Sequence, residues 1–168
     1  MSFSRIGQGR QYGHDPFGTL IIGVGDRQRR DDGIGPFIVE RLEKILHIAE
    51  TFRFLTVPRL TLQIADEIHS AGVLIFFGST VEILKEGWRC APLVPEKVCP
   101  DFQTRHLSPA LLLGVFQSLH HRNPPAWMVS VQGNNFGFGD EITPVARKRV
   151  EKAFSNIVET VLRVHEGV

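Results

Sequence analysis

The sequence predicts an α/β domain of three layers, in which a twisted, mostly parallel sheet of about five strands has helices on both faces. Two features of its 168 residues lead to this prediction. Short strand-like runs are apolar throughout, which is typical of strands that are covered on both sides. These runs alternate along the chain with segments whose apolar residues recur at helical spacing. An apolar content of 42% is sufficient for a core of this kind.

The first strand and helix have the clearest patterns. Residues 19–25 form an apolar run that ends in glycine, and residues 52–57 form a second run that ends before Pro58. Between these runs, Pro36 indicates the start of a helix, because proline is tolerated in a first helical turn. The residues expected to face the core from this helix are Ile38, Leu42, Ile45 and Ala49.

The remaining elements continue the same alternation. Ser108-Pro109 and Thr143-Pro144 each place a capping side chain before a proline, which is typical of a helix start. Further helices are therefore expected at residues 108–121 and from 143 onward, and a helix capped by Thr61 is expected at 61–70. Further strands are expected at 73–77 and 126–132, with a strand and irregular chain over 84–103.

Composition limits the class of protein. Residues 1–18 are expected to be a flexible N-terminal arm without the apolar core of a secretory signal, and residues 19–168 a single domain. A net charge of +1 argues against a nucleic-acid surface, and no apolar run approaches the about twenty residues of a membrane span. Cys90 and Cys99 are the only cysteines, which excludes a disulfide framework. We therefore expect a cytoplasmic protein. We also expect it to be a monomer or a weak homo-oligomer.

Binding sites of open parallel sheets lie at the carboxyl ends of the strands. Gly23-Val-Gly25, after the first predicted strand, lacks the third glycine of a dinucleotide-binding loop, since residue 28 is glutamine. Neither a P-loop nor a GxSxG motif occurs in the chain. The segments that the carboxyl-end rule selects are 25–35, 78–80 and 133–140.

The first of these segments holds the densest group of charges, three arginines and three aspartates. The adjacent carboxylates of Asp31 and Asp32 have the chemistry of metal ligands, whereas the alternative is a solvated loop whose charges pair among themselves. His106 stands two residues before a predicted helix cap and is a further candidate ligand, with a purely structural histidine as the alternative.

Seven motifs resemble those of the hydrogenase maturation endopeptidases in their order and spacing, over about residues 19–164. They are Gly23-Val-Gly25, Asp31-Asp32-Gly33-Ile34-Gly35, Leu60-Thr61, Val73-Leu-Ile-Phe-Phe77, His106-Leu-Ser-Pro109, Pro125-Ala-Trp-Met-Val129 and Phe136-Gly-Phe-Gly139. The resemblance implies an α/β protein that recognises nickel in the large-subunit precursor of a [NiFe] hydrogenase. It further implies that this protein then removes a short C-terminal extension from the precursor.

The resemblance also implies a metal site of three residues. They are an acidic residue in the first loop, an aspartate at the end of the third strand and a histidine before the next long helix. The acidic position falls on Asp32 and the aspartate position on Gly78, which has no side chain to coordinate a metal. The histidine position falls on His106, or on Arg105 if the leucines set the register.

Because of Gly78, we expect affinity for nickel or another divalent metal to be weak or absent, and no cofactor is firmly implied. The charges of residues 26–32 sum to zero, whereas a divalent cation favours a net negative shell. An arginine near Asp32 would compete with a metal for its carboxylate. Water, Glu82 or Asp66 would fill the vacant position in an active enzyme, for which we assign no nucleophile.

The alternative function is that of a non-catalytic relative that binds a protein or an anion. A helix start at Gly35 with arginines beside it is typical of an anion pocket. Aromatic residues of the glycine-rich loop would recognise a partner, or would simply pack against the end of the sheet. The residues assigned to substrate or anion binding are Arg27, Arg29, Arg30, Asp31, Gly33, Phe136 and Phe138.

Overall fold

The computed structural model describes residues 18–99 and 107–167. Within them the chain forms a five-stranded sheet and four α-helices. The strands are β1 (Thr19–Val24), β2 (Phe52–Val57), β3 (Val73–Thr80), β4 (Trp88–Pro92) and β5 (Ala126–Gln132). The helices are α1 (Ile34–Leu46), α2 (Ala65–His69), α3 (Pro109–His120) and α4 (Pro144–Glu166), with 3-10 turns at Arg30–Gly33 and Leu62–Ile64.

The order of the strands across the sheet is β2-β1-β3-β5-β4. Strands β1, β2, β3 and β5 run parallel to their neighbours, and β4 joins the edge antiparallel to β5. Helices α1 and α4 pack on one face, and α2 and α3 pack on the other. These observations confirm the predicted α/β architecture of three layers around a mostly parallel sheet.

The two apolar layers explain the uninterrupted apolar strands. In β1, Ile21 packs under α1 and α4, whereas Leu20 and Ile22 point to the layer below α2 and α3. Strand β3 divides in the same way, with Phe77 in the first layer and Phe76 in the second. Because successive side chains of a strand point to opposite faces, a strand in the middle of three layers is apolar at every position.

Helix α1 differs from its prediction at both ends. It begins at Ile34, two residues before Pro36, and it ends at Leu46, so Ala49 lies beyond it. Ile45 is 51% exposed instead of facing the core. The buried stripe continues through Leu46, which lies one turn after Leu42 on the same face of the helix.

The capping predictions at the two later helices are confirmed. Ser108 Oγ accepts a hydrogen bond of 3.0 Å from the N–H of Leu111 at the start of α3. Thr143 Oγ1 accepts one of 3.3 Å from the N–H of Ala146 at the start of α4. The predicted helix at 61–70 is instead a 3-10 turn followed by the short α2, and Thr61 makes no capping bond there.

The strand predictions are confirmed for β1, β2 and β5. Strand β3 continues three residues beyond the predicted end at Phe77, because Gly78, Ser79 and Thr80 still pair with β5. The predicted N-terminal arm lies outside the described residues, except for Gly18. In the described part of the chain, no helix has both the length and the apolar character needed to cross a membrane.

Gly35 places the start of α1 directly against the edge of the sheet. A Cβ at this position would lie 2.4 Å from the carbonyl oxygen of Phe77 and 2.6 Å from that of Val24. Any other residue would therefore push the helix away from β1 and β3. This close approach holds the loop between β1 and α1, and with it Asp31 and Asp32, above the carboxyl ends of the central strands.

Candidate functional site

Asp31 joins the loop after β1 to the loop after β5. Its side chain is completely buried. The carboxylate accepts hydrogen bonds from the N–H groups of Asn134 (2.7 Å), Asn135 (3.0 Å) and Thr143 (2.6 Å), and from Thr143 Oγ1 (2.9 Å). A backbone bond from the Asp31 N–H to the Asn135 carbonyl adds to this connection. Four donors of the chain's own loop therefore occupy the carboxylate.

These donors also determine the charge state of Asp31. Burial by itself would raise the pKa of its carboxyl, but the hydrogen bonds from Thr143, Asn134 and Asn135 outweigh it and lower the pKa below the ordinary value. The ionised carboxylate is thus a structural anchor. This geometry corrects the assignment of Asp31 to substrate or anion binding, because the side chain has no surface left for a ligand.

Asp32, the next residue, lies in a different environment. Its Oδ2 accepts a hydrogen bond of 2.7 Å from the N–H of Asp26, and Ser79 Oγ lies 3.5 Å from its Oδ1. The side chain is half-buried and lines a cleft of about 390 Å³. One carboxylate oxygen therefore has a firm partner, whereas the other has a single long contact.

The cleft lies where the carboxyl ends of β1, β2 and β3 meet the start of α3. Its walls combine apolar surface with a few polar groups, which is the usual composition of a ligand site. The described residues that line it are Val24, Gly25, Asp32, Pro58, Arg59, Leu60, Gly78, Ser79, Leu107, Ser108, Pro109 and Met128. Among them, Asp32 supplies the negative charge and Arg59 the positive charge.

Gly78, the position at which the resemblance implies an aspartate, also lines this cleft. A Cβ there would lie 2.9 Å from Met128 Cε and 3.8 Å from the carbonyl oxygen of Val24. The nearer atom is the end of a flexible side chain, so the wall has room for a larger residue if Met128 rotates. In this chain the position contributes no ligand atom from a side chain.

The third residue of the implied metal site, His106, and its alternative Arg105 lie outside the described residues. Leu107, which follows in the chain, lines the cleft. Within residues 18–99 and 107–167, no three histidine, cysteine, aspartate or glutamate side chains lie together as a metal would require.

Arg27 is turned away from Asp32. Its guanidinium forms an ion pair with Glu40 of α1, with an N–O distance of 2.5 Å. Arg27 lines a separate cavity of about 120 Å³, together with Arg30, Gly33, Phe37, Asp140, Glu141, Ile142 and Arg147. Asp140 and Glu141 would repel an anion, so this cavity is a poor match to the predicted anion pocket.

Arg29 and Arg30 hold the glycine-rich loop after β5. Arg30 Nε donates a hydrogen bond of 3.1 Å to the carbonyl of Phe138, and the guanidinium of Arg29 lies 4.8 Å from the centre of the Phe138 ring. Arg29 also lies 3.9 Å from Asp26. All three arginines of the loop therefore have partners other than Asp32. None of them is paired with the Asp32 carboxylate, for which an arginine was expected to compete with a metal.

The two phenylalanines of this loop differ in exposure. Phe136 is half-buried and packs over Gly133, where a Cβ would lie 2.6 Å from the end of its ring. Phe138 is 79% exposed. Phe136 therefore fits the packing alternative, whereas Phe138 presents an aromatic surface.

Arg59 was not among the residues selected from the sequence, although it lines the cleft. The signal was present, because Arg59 follows the carboxyl end of β2 by two residues and sites are expected at such ends. Ser79 lies in the predicted segment 78–80 without an assigned role, and Met128 was not selected as a site residue. Their positions depend on the pairing of β3 with β5, which connects residues about fifty positions apart.

Comparison with known proteins identifies the fold. No protein-family model and no curated protein sequence matches the chain. The [NiFe] hydrogenase maturation protease HycI of Thermococcus kodakarensis is similar in structure, with a TM-score of 0.65 and 18% identity over 85% of this chain and 91% of its own. The hydrogenase maturating endopeptidase HybD of E. coli has a TM-score of 0.63 and 21% identity, with 88% of this chain and 91% of its own covered. For an endopeptidase of Escherichia coli the values are 0.62 and 24%, with 87% and 92% covered.

These similarities extend over nearly the whole of each chain. The protein therefore has the fold of the [NiFe] hydrogenase maturation endopeptidases.

Proposed function

We propose that this protein is a processing endopeptidase that removes the C-terminal extension from the large-subunit precursor of a [NiFe] hydrogenase. The observation that carries the proposal is the position of Asp32 in an open cleft at the carboxyl ends of three strands. The solved structures of the same fold that are named as maturation proteases support this choice of reaction and substrate.

Asp32 is the residue that would recognise the substrate's nickel. Its Oδ2 is fixed by the N–H of Asp26, so the carboxylate is oriented before a ligand arrives. Its Oδ1 has one weak contact, to Ser79, and is free to coordinate a cation held by the precursor. Hydrolysis of the peptide bond consumes one water molecule, and no side chain of this chain is assigned as the nucleophile.

Recognition would rely mainly on the nickel already bound by the substrate, not on a metal held by this protein. Glu82 and Asp66 do not compensate for Gly78, because neither lines the described cleft, and Glu82 pairs with Arg89 at 3.0 Å. A single carboxylate in a cleft that is also lined by Arg59 is a weak site for a free divalent cation. His106 would be the second ligand.

A second candidate function is that of a non-catalytic relative that binds its partner without cleaving it. Gly78 favours it, because the residue removes a side chain that the resemblance assigns to the metal site. Phe138, with 79% of its surface exposed, would then contribute to the contact with a partner protein.

The test is the processing of a nickel-loaded precursor that carries its C-terminal extension, followed by mass spectrometry of the intact large subunit. The precursor is taken from the organism that encodes this chain. Cleavage by the native protein and its loss in Asp32→Ala are expected, with Asp66→Ala as the matched control that retains activity. Binding of the precursor without cleavage would support the non-catalytic alternative instead.

We place this activity in the cytoplasm. Cys90 and Cys99 are both free thiols, as expected of a protein in a reducing compartment. The partner would be the hydrogenase large subunit, and the processing protein would be a monomer or a weak homo-oligomer.

A further inference from the structure

We propose that Arg59 determines specificity in the cleft by binding a carboxylate group of the peptide that lies there. The inference rests on the proposed function, which supplies a peptide as the ligand. It adds a chemical requirement on that peptide, an anionic group within reach of Arg59.

Arg59 differs from several other arginines of the described chain, because it has no carboxylate partner. Five other arginines, Arg27, Arg29, Arg41, Arg53 and Arg89, lie within 4 Å of a carboxylate. Arg59 has no such ion pair, hydrogen bond or ring contact with the residues that the structure describes. Arg59 is an exposed residue, and it lines the cleft.

The backbone is held in place on both sides of Arg59. Pro58 restricts the chain immediately before Arg59. Leu60, immediately after it, is buried with 2% of its surface exposed and is part of the core below α2 and α3. The segment is therefore anchored on both sides, and the side chain of Arg59 alone is free to adjust to a ligand.

The negative charge of Asp32 and the positive charge of Arg59 are not paired with each other within the cleft. Asp32 and Arg59 both line it, yet no ion pair joins them. Leu107, Pro109 and Met128 provide apolar wall in the same cleft. This arrangement fits an extended peptide whose cationic or metal-bearing end lies at Asp32 and whose anionic group lies at Arg59.

A guanidinium favours a carboxylate, because two parallel N–H donors match two oxygens. The carboxylate has two possible sources in a C-terminal extension, an acidic side chain or the chain terminus itself. Both have the same chemistry at Arg59, so the experiment must distinguish them by the peptides used.

The test measures binding of three synthetic peptides to the full-length protein by calorimetry. The first is acetyl-Ala-Leu-Ala-Val with an amidated end, the second has the same sequence with a free carboxylate, and the third is amidated with Asp in place of Leu. We expect at least one anionic peptide to bind about tenfold more tightly than the neutral one. The variant R59Q should remove this preference. R53Q, which alters an arginine of β2 that pairs with Glu67, should retain it.

Equal binding of all three peptides, or no binding of any of them, would overturn the proposal, and so would an unchanged preference in R59Q. A preference for the free carboxylate identifies the terminus as the ligand, and a preference for Asp identifies a side chain. The assay involves no cleavage. A chain that shows the Arg59-dependent preference but does not process the precursor would therefore contradict the proposed function alone.

Discussion

Asp31 and Asp32 are identical neighbours in the sequence with opposite roles in the structure. Asp31 is completely buried and bound by four donors of the loop after β5. Asp32 is half-buried and lines a cleft, and its Oδ1 has only a long contact with Ser79 Oγ. The role of an acidic residue therefore depends on the hydrogen-bond donors that distant parts of the chain place around it. One carboxylate holds two loops together, and the other remains available for a ligand.

The largest effect is expected from Asp31→Ala. This variant leaves the N–H groups of Asn134, Asn135 and Thr143 without their acceptor, and we expect the free energy of unfolding to fall by about 3–5 kcal/mol. Asp32→Ala, which frees only the N–H of Asp26 and weakens one contact, should cost about 1 kcal/mol. Urea denaturation of both variants measures the difference. Equal losses would mean that Asp31 is not the anchor.

A smaller effect is expected at Thr143, whose hydroxyl has two roles. It donates to Asp31 and accepts from the N–H of Ala146 at the start of α4. Thr143→Ala should therefore cost about 1.5–3 kcal/mol of unfolding free energy. Ser108→Ala is the matched control, because Ser108 caps α3 without contacting Asp31, and about 1 kcal/mol is expected there. Thermal or urea unfolding measures the loss of unfolding free energy in each variant. Equal losses would contradict a stabilising hydrogen bond between Thr143 and Asp31.

The pH dependence of stability should also report on the buried carboxylate of Asp31. The pKa of Asp31 is lower in the folded protein than the ordinary value of 3.8 that applies to the unfolded chain. Its contribution to stability is therefore complete above that value and is lost as the pH falls through the lower folded value. Denaturation midpoints measured from about pH 6 to pH 3 should decline less steeply in Asp31→Asn than in the native protein. The same decline in both would assign acid sensitivity to other carboxyl groups.

The difference between these aspartates also marks the limit of what the sequence could predict. Strand β5 and the caps at Ser108 and Thr143 were predicted from local pattern, because local pattern determines them. The role of Asp31 was not predictable, since its donors lie more than one hundred residues away in the chain.

The cleft was predicted in part for the same reason. Asp32 and Gly78 were placed by motif order, and both line the cleft. Arg59 follows the rule that sites lie at the carboxyl ends of strands and directly precedes the Leu60-Thr61 motif, but it is not itself part of a motif. The exposure of Ile45 and the early end of α1 at Leu46 depend on what packs against the helix, which periodicity alone does not show.

The proposal that the cleft at Asp32 recognises a metal and lacks a ligand at Gly78 is tested most directly by a calorimetric titration with nickel. The titration compares the native protein with Gly78→Asp and with the double variant Gly78→Asp/Asp32→Ala. We expect no binding in the micromolar range for the native protein, binding in Gly78→Asp, and its loss in the double variant. Tight stoichiometric binding by the native protein, or binding in Gly78→Asp that survives Asp32→Ala, would contradict the proposal.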